Sequence, residues 1–204
     1  MQVLAVSDVV EDDLYGSGGE RFRGVEAILS AGDLPASYLD YLASILSAPL
    51  FYVYGNHFYG VEHTHTGVDL HHPPGVNLDT RVVRYRGLVM VGLEGCMRYS
   101  GGPHQYTEGE MRLKALRLWP QLALERLRGR RLDVLLTHAP PRGIHDASDL
   151  PHRGFQTFLD FISWHRPRYV LHGHVHCYDR SKPRQTVLGD TVVLNVYGHQ
   201  VLDL

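Results

Sequence analysis

Short apolar runs alternate along the chain with longer segments in which apolar residues recur at helical spacing. Val3 to Val6, Ala27 to Leu29, Leu50 to Val53, Leu88 to Val91, Val134 to Leu136, Tyr169 to Leu171 and Val192 to Val196 are near-continuous apolar runs. That pattern belongs to strands buried on both faces. Leu39, Leu42 and Leu46 form a helical stripe after Pro35, which suits a first helical turn. Met111, Ala115, Leu118 and Leu122 form a second stripe, broken at Pro120, where a helix kinks or restarts. Phe155, Phe158, Leu159 and Ile162 form a third, ending at Arg166-Pro167. Tyr85-Arg86-Gly87-Leu88 predicts a hairpin, so the sheet is mixed. Strands alternating with helices predict a layered α/β fold.

Five polar clusters follow these apolar runs. They are Ser7-Asp8, Gly32-Asp33, Gly55-Asn56-His57, Thr137-His138-Ala139-Pro140 and Gly173-His174-Val175-His176. In an α/β sheet the loops beyond strand C-termini gather at one edge, so residues distant in sequence converge there. Two carboxylates, an amide and three imidazoles form a mixed oxygen and nitrogen set suited to transition metals. Any one of these residues alone is explained as a helix cap, a turn former or a hydrogen-bonded core histidine. Five clusters, each at a strand end, are not.

Two stretches look irregular. Tyr15-Gly16-Ser17-Gly18-Gly19 is glycine-rich, but neither a Gly-Lys-Ser/Thr nor a GxGxxG pattern accompanies it, so it reads as a flexible loop. Residues 59–74 carry His63, His65, His71 and His72 and read as a surface loop near the mouth of the site.

Composition narrows the setting. The 204 residues suffice for one domain, expected over 1–204. With 20 basic and 22 acidic residues the net charge is −2, against a generic nucleic-acid binder. All the basic residues except Lys114 and Lys182 are arginine, a skew expected of a GC-rich bacterial coding sequence. Cys96 and Cys177 have no metal-binding or redox spacing and read as reduced thiols. Neither a signal peptide nor an apolar run of membrane-spanning length is found, so a cytoplasmic, membrane-free protein is expected. The chain has 14 histidines, and three stand in the strand-end clusters as candidate ligands.

The order Asp8, Gly32-Asp33, Gly55-Asn56-His57, His138 and Gly173-His174-Val175-His176 resembles the calcineurin-like metallophosphoesterase superfamily over residues 3 to about 197. The resemblance implies a four-layered α/β/β/α sandwich, two mixed sheets flanked by helices. It implies two divalent or trivalent transition-metal ions (Mn, Fe, Zn or Ni) and a phosphate-ester substrate, a phosphomonoester or a phosphodiester. Asp8 and His176 would bind the first ion, Asp33 would bridge, and Asn56, His138 and His174 would bind the second. His57 corresponds to the family's phosphate-contacting histidine, often assigned as the general acid. The stretches around Gly95 to Glu108 and His138 to Gly143 look like those of small bacterial members. Arg98 is a candidate phosphate contact. Specificity is expected in the loops Tyr59 to Pro74 and Cys96 to Glu108, with Tyr99, Tyr106 and Tyr178 as candidate pocket residues.

The chain departs from the family pattern twice. Asp-x-His is here Asp8-Val9-Val10, so the first ion loses a nitrogen donor. Its site should be weaker, or completed by water or by Glu11, Asp12 or Asp13. Phe58 follows His57 where the family has Asp or Glu, so another group must orient that imidazole. Both departures point to an alternative, a non-catalytic scaffold or binding module on the same fold. The hydrolytic reading has a metal-held hydroxide attack phosphorus in line, at a dinuclear or mononuclear site, with no covalent enzyme intermediate.

Overall fold

In β1 (Gln2–Ser7) successive side chains turn to opposite faces, and both faces are covered. Val3 and Ala5 enter one apolar cluster, and Leu4 and Val6 enter another. The computed structural model describes residues 1–15, 22–57, 72–178 and 183–204, together with the backbone of 62–63 and 69–70. The glycine-rich stretch 16–19, Phe58, His65, His71 and the side chain of His63 lie outside the described residues.

The first sheet has the order β15 (Gly198–Asp203), β1, β2 (Ala27–Ser30), β3 (Leu50–Tyr52) and β6 (Val76–Asn77). Its strands are parallel except β15, which runs antiparallel to β1. The second sheet has the order β13 (Gln185–Leu188), β14 (Thr191–Asn195), β12 (Tyr169–His172), β11 (Val134–Thr137), β8 (Leu88–Leu93) and β7 (Val82–Tyr85). Its four middle strands are parallel, and each edge strand is antiparallel to its neighbour. Two short pairs stand apart, β4 (Glu62–His63) with β5 (Asp69–Leu70) and β9 (Cys96–Met97) with β10 (Gln105–Tyr106). The expected hairpin joins β7 to β8 through Arg86 and Gly87, whose φ angles are 45° and 91°. Two successive left-handed residues match the twist of the flanking strands.

Three apolar cores define four layers. Between the sheets, Val3, Ala5, Leu29 and Val53 meet Met90, Val134, Leu136 and Leu171. Outside the first sheet, Leu39, Leu42 and Leu46 of α1 (Ala36–Leu46) pack on Leu4, Val6, Ile28 and Leu50. Outside the second sheet lie α2 (Glu108–Arg117), α3 (Trp119–Leu127) and α4 (Gln156–His165). Met111, Leu118, Leu122, Phe158 and Phe161 cover Val91, Leu135, Val170 and Val193 there. The fold is therefore an α/β/β/α sandwich of two mixed sheets.

Sequence signals set the helix limits. Pro35 falls one place earlier than expected, at the N-cap of α1 and not inside its first turn. Thr107 and Glu110 form a reciprocal capping box at the start of α2. The helix restarts at Trp119, with Pro120 in the first turn of α3. Arg166, at φ 46°, closes α4 just before Pro167. Both cysteines are free thiols. Among the described residues no helix is long and apolar enough to cross a membrane.

The outer helices are also pinned by charge. Glu125 of α3 is 3% exposed. Its carboxylate accepts from Arg84 of β7 at 2.9 Å, from Arg128 at 3.2 Å and from Arg130 at 3.1 Å. Hydrogen bonds from Arg84, opposed by burial and joined by Arg130, hold its pKa down to about 2 from an ordinary 4.5. A carboxyl whose folded pKa is depressed stabilises the fold above its unfolded pKa and loses that contribution as pH falls through the folded one. Glu125→Gln should therefore lower the melting temperature at neutral pH and flatten its decline between about pH 5 and pH 2. Melting curves across that range test this; an unchanged slope would exclude Glu125 as the titrating group.

Candidate metal centre

The C-terminal ends of β1, β2 and β3 in one sheet face those of β11 and β12 in the other. Each of these ends carries one of the polar clusters. The main chain laces the ends together: Asp8 N–H donates to Gly32 O at 3.1 Å, and Gly173 N–H donates to His138 O at 3.1 Å. At the point where the sheets meet, one ligating atom each from Asp33, His138 and His174 lie within 4.8 Å of one another.

Each imidazole is aimed by a carbonyl. His138 is fully buried, and its Nδ1 lies 2.7 Å from Ala31 O. A carbonyl only accepts, so Nδ1 carries the proton and Nε2 is left to face the centre. That Nε2 lies 3.2 Å from Asp33 Oδ2 and 3.1 Å from Asn56 Oδ1. His174 is also buried, and its Nε2 lies 2.8 Å from Pro151 O, which leaves Nδ1 as the ligating atom. The rings of His138 and His174 are 4.7 Å apart. Asn56 donates from Nδ2 to Tyr99 Oη at 3.3 Å, so its Oδ1 is the atom turned inward.

Asp8 and Asp33 are held by main-chain donors. Both oxygens of Asp8 lie 3.0 Å from His174 N–H, and Oδ2 also accepts from Ser7 Oγ at 2.6 Å. Asp33 Oδ1 accepts from His57 N–H at 2.9 Å. Asp8, Asp33 and His174 have φ angles of 66°, 55° and 67°, left-handed values that non-glycine residues seldom adopt. Strain of this kind persists where the surroundings over-determine it, and it clusters at functional sites. Two glycines admit the close approach. A Cβ on Gly55 would stand 2.0 Å from Asp33 Oδ1, and one on Gly173 would stand 2.4 Å from Asp8 Oδ2.

The charges are strongly coupled. Burial pushes Asp8 up, partly opposed by His138. Burial also acts to raise Asp33, but the charge and hydrogen bond of His138 outweigh it and hold Asp33 below the usual carboxylate range. Burial would lower His138, but Asp33 beside it raises it to about 9. His174, desolvated and facing His138, is pushed down to about 3. The two shifts are reciprocal, as expected where a carboxylate and an imidazole share a desolvated site.

The remaining candidates lie further out. His57 is exposed, with Nε2 4.0 Å from Asp33 Oδ2. His176 is exposed and stands outside the Asp33–His138–His174 group. Its Nδ1 lies 2.6 Å from Tyr178 Oη, and its ring lies 4.8 Å from that of Tyr197. Arg98 is bonded to Glu110 Oε1 at 2.8 Å. Val10 is 40% exposed. Of its acidic neighbours, Glu11 is paired with His199, while Asp12 and Asp13 are exposed in a single 3-10 turn. In the histidine-bearing stretch, His72 is exposed and its Nδ1 lies 3.4 Å from Pro73 O.

Sequence reasoning passed over a buried charge network behind the centre. Glu94, directly after β8, accepts from Tyr106 Oη at 2.5 Å and pairs with Lys114 at 3.3 Å and His104 at 3.1 Å. Lys114 also reaches Asp79 Oδ2 at 2.8 Å. The next residue, Gly95, donates to Tyr54 O at 2.9 Å and accepts from Ala139 N–H at 3.2 Å, joining the Asn56 loop to the His138 loop. Glu94-Gly95 follows an apolar strand as the five recognised clusters do, which was the available signal. The segment 140–154 was half-read: beyond Pro140-Pro141 it supplies Pro151 O and places the His152 ring 5.0 Å from that of His174.

The family model for calcineurin-like phosphoesterases matches residues 3–178. A sequence search of curated proteins finds no match. One crystal structure shares the fold over 99% of this chain and 94% of its own, with a TM-score of 0.68 and 16% identity. TT1561 of Thermus thermophilus is similar over 97% of this chain and 89% of its own (TM-score 0.61, 18% identity). GAP50, the anchor in the inner membrane complex of Plasmodium, is similar over 96% of this chain and 70% of its own (TM-score 0.56, 12% identity). Identities this low carry the fold alone, but the family match spans most of the chain and runs through every strand-end cluster as far as His176. The chain belongs to the calcineurin-like phosphoesterase family.

Proposed function

We propose that the protein is a metal-dependent hydrolase of phosphomonoesters or phosphodiesters. The convergence of Asp33, His138 and His174 within 4.8 Å, from two different sheets, carries this reading. The donor set fits a transition metal: each imidazole has its second nitrogen engaged by a carbonyl, and the carboxylate is close enough to share. Asn56, His138 and His174 would hold one ion, Asp8 and His176 a second, and Asp33 would bridge. Bound there, Mn, Fe, Zn or Ni would act as Lewis acids on the phosphoryl oxygens and make water nucleophilic near neutral pH.

The protein's own groups do the rest. Asp33 Oδ1 accepts from the main-chain N–H of His57, and its other oxygen lies 4.0 Å from His57 Nε2. The main-chain bond fixes the position of His57 beside the centre, and its exposed imidazole could protonate the leaving oxygen. The buried cluster around Glu94 and Lys114 holds the Asn56 and His138 loops in register through Gly95.

Val10 and the outward His176 favour a second reading, a binding module on the same fold, with GAP50 as a fold-mate described as an anchor. On the hydrolase reading, Asp33→Ala and His138→Ala should each reduce Mn²⁺-supported cleavage of a chromogenic phosphate ester by about 10²–10³-fold or more. Activity retained in both variants would refute it. Elemental analysis separates the readings, since close to two ions per chain support the hydrolase and none supports the scaffold. Val10→His should tighten the weaker site by about 10–100-fold, the scale on which even indirect ligand partners act. Metal titration by calorimetry checks this, and no change would mean that another donor already completes the site.

A further inference from the structure

A cavity of about 360 Å³ opens beside the centre, between the first turn of α1 and the loop that follows β3. That lies near the lower end of the ~300–1,000 Å³ range of small-ligand sites. Leu34, Leu39, Val53 and Pro73 line it, together with the rings of Tyr52 and Tyr54. The two tyrosines meet edge to face at 5.4 Å, and their side chains hydrogen-bond to each other. The hydroxyl of Ser30 accepts from Gly32 N–H, and Ser30 is fully buried. Asp33 and His57 close one end of the cavity, and the walls away from them are mainly hydrocarbon.

We infer that this cavity receives the leaving group of the substrate and selects an aromatic ring over a sugar or polyol. The inference rests on the hydrolase reading above and adds the substrate class to it. His57 stands at the boundary between the metal ligands and the cavity, so an oxygen that it protonates emerges at the cavity mouth. Water's oxygen bonds to phosphorus as the phosphorus–aryl-oxygen bond breaks. The aryl oxygen leaves as a phenol with a proton from the His57 imidazolium, and the proton lost by water returns through solvent to restore the imidazolium. Sugar hydroxyls placed against these walls would lose their water without gaining partners. A flat ring loses nothing of that kind and gains edge contacts with Tyr52 and Tyr54. Pro73 belongs to the Tyr59 to Pro74 loop in which specificity is expected from sequence, and most of the other walls come from β3, the loop after it and the start of α1.

Phenyl and 2-naphthyl phosphates, with their methyl diesters, test this with Mn²⁺ present, because the two leaving groups match in acidity and differ in size. The naphthyl ester should have the higher kcat/KM by roughly 10-fold, the scale of added apolar contact in a pocket. Ala36, a further wall residue in the first turn of α1, allows the cavity to be filled. Ala36→Val and Ala36→Leu should bring the ratio towards one, with melting curves confirming the fold. A ratio near one in the unmodified protein, or one unmoved in both folded variants, overturns the inference while leaving the hydrolase reading intact. If neither ester is cleaved by metal-loaded protein, the hydrolase reading fails instead. Calorimetry with 2-naphthol and phenol then decides the cavity alone: tighter naphthol binding that Ala36→Leu abolishes supports it, and equal or absent binding overturns it.

Discussion

Asp33 and His138 come from different sheets, and the 3.2 Å contact between them is the interaction on which the site depends. Two sheets packed face to face place their parallel strands' C-terminal ends along one seam. An apolar interior cannot leave a carboxylate and an imidazole unpaired there. Each is therefore surrounded by groups that leave it one orientation: His57 N–H on one oxygen of Asp33, Ala31 O behind His138. A carboxylate and an imidazole held this close, each with its other contacts fixed, form a preorganised group that could hold a cation.

Preparation extends outward through main-chain atoms. Ala31 O and Pro151 O each accept from one nitrogen of a ligating histidine and so fix its tautomer and tilt. Gly95 links the loops of Asn56 and His138, and the Glu94–Lys114–Asp79 network anchors Gly95 from behind. A rigid surround of this kind holds ligands to the small tolerances that metal chemistry requires. The more exposed His57 and His176 have no carbonyl behind the ring among their described contacts.

Much of the layered fold can be read from strands buried on both faces. Leu88 to Val91 and Val134 to Leu136 have no polar alternation because helices cover one side and the other sheet covers the opposite side. Two of the edge strands were not legible for the converse reason. Gln185–Leu188 and Gly198–Asp203 are half solvated and mix polar with apolar residues, so they resemble loops until a neighbour pairs with them. Strand-end positions such as Asp33 and His138 could be read because ligand chemistry is confined to a few residue types. Ala31 O and Pro151 O could not, since a carbonyl is present at every position. Glu94 was missed although its place after a strand was visible, because a lone acid at a strand end is usually solvated and its partners Asp79, His104 and Lys114 are scattered in sequence.

The physical costs at the centre bear on what the protein is for. Asp8, Asp33 and His174 occupy left-handed backbone, at about 1–3 kcal/mol each. Asp8 is desolvated enough to raise its carboxyl, and His174 enough to suppress protonation. Replacing such groups with apolar residues of similar volume commonly stabilises a fold. A module that only presents its outer surface to a partner has no use for a strained, desolvated cluster at the seam between its sheets. On the proposed reading metal binding would use all of these features: the strained turns would aim the ligands, burial would strengthen their field, and an ion would neutralise the carboxylates that burial disfavours. The weak point is the Asp8 side, where Val10 contributes no donor and His176 faces Tyr178. The structure brings together one candidate ligand set, Asp33, His138 and His174, and on the proposed reading a second ion would have to draw His176 towards Asp8.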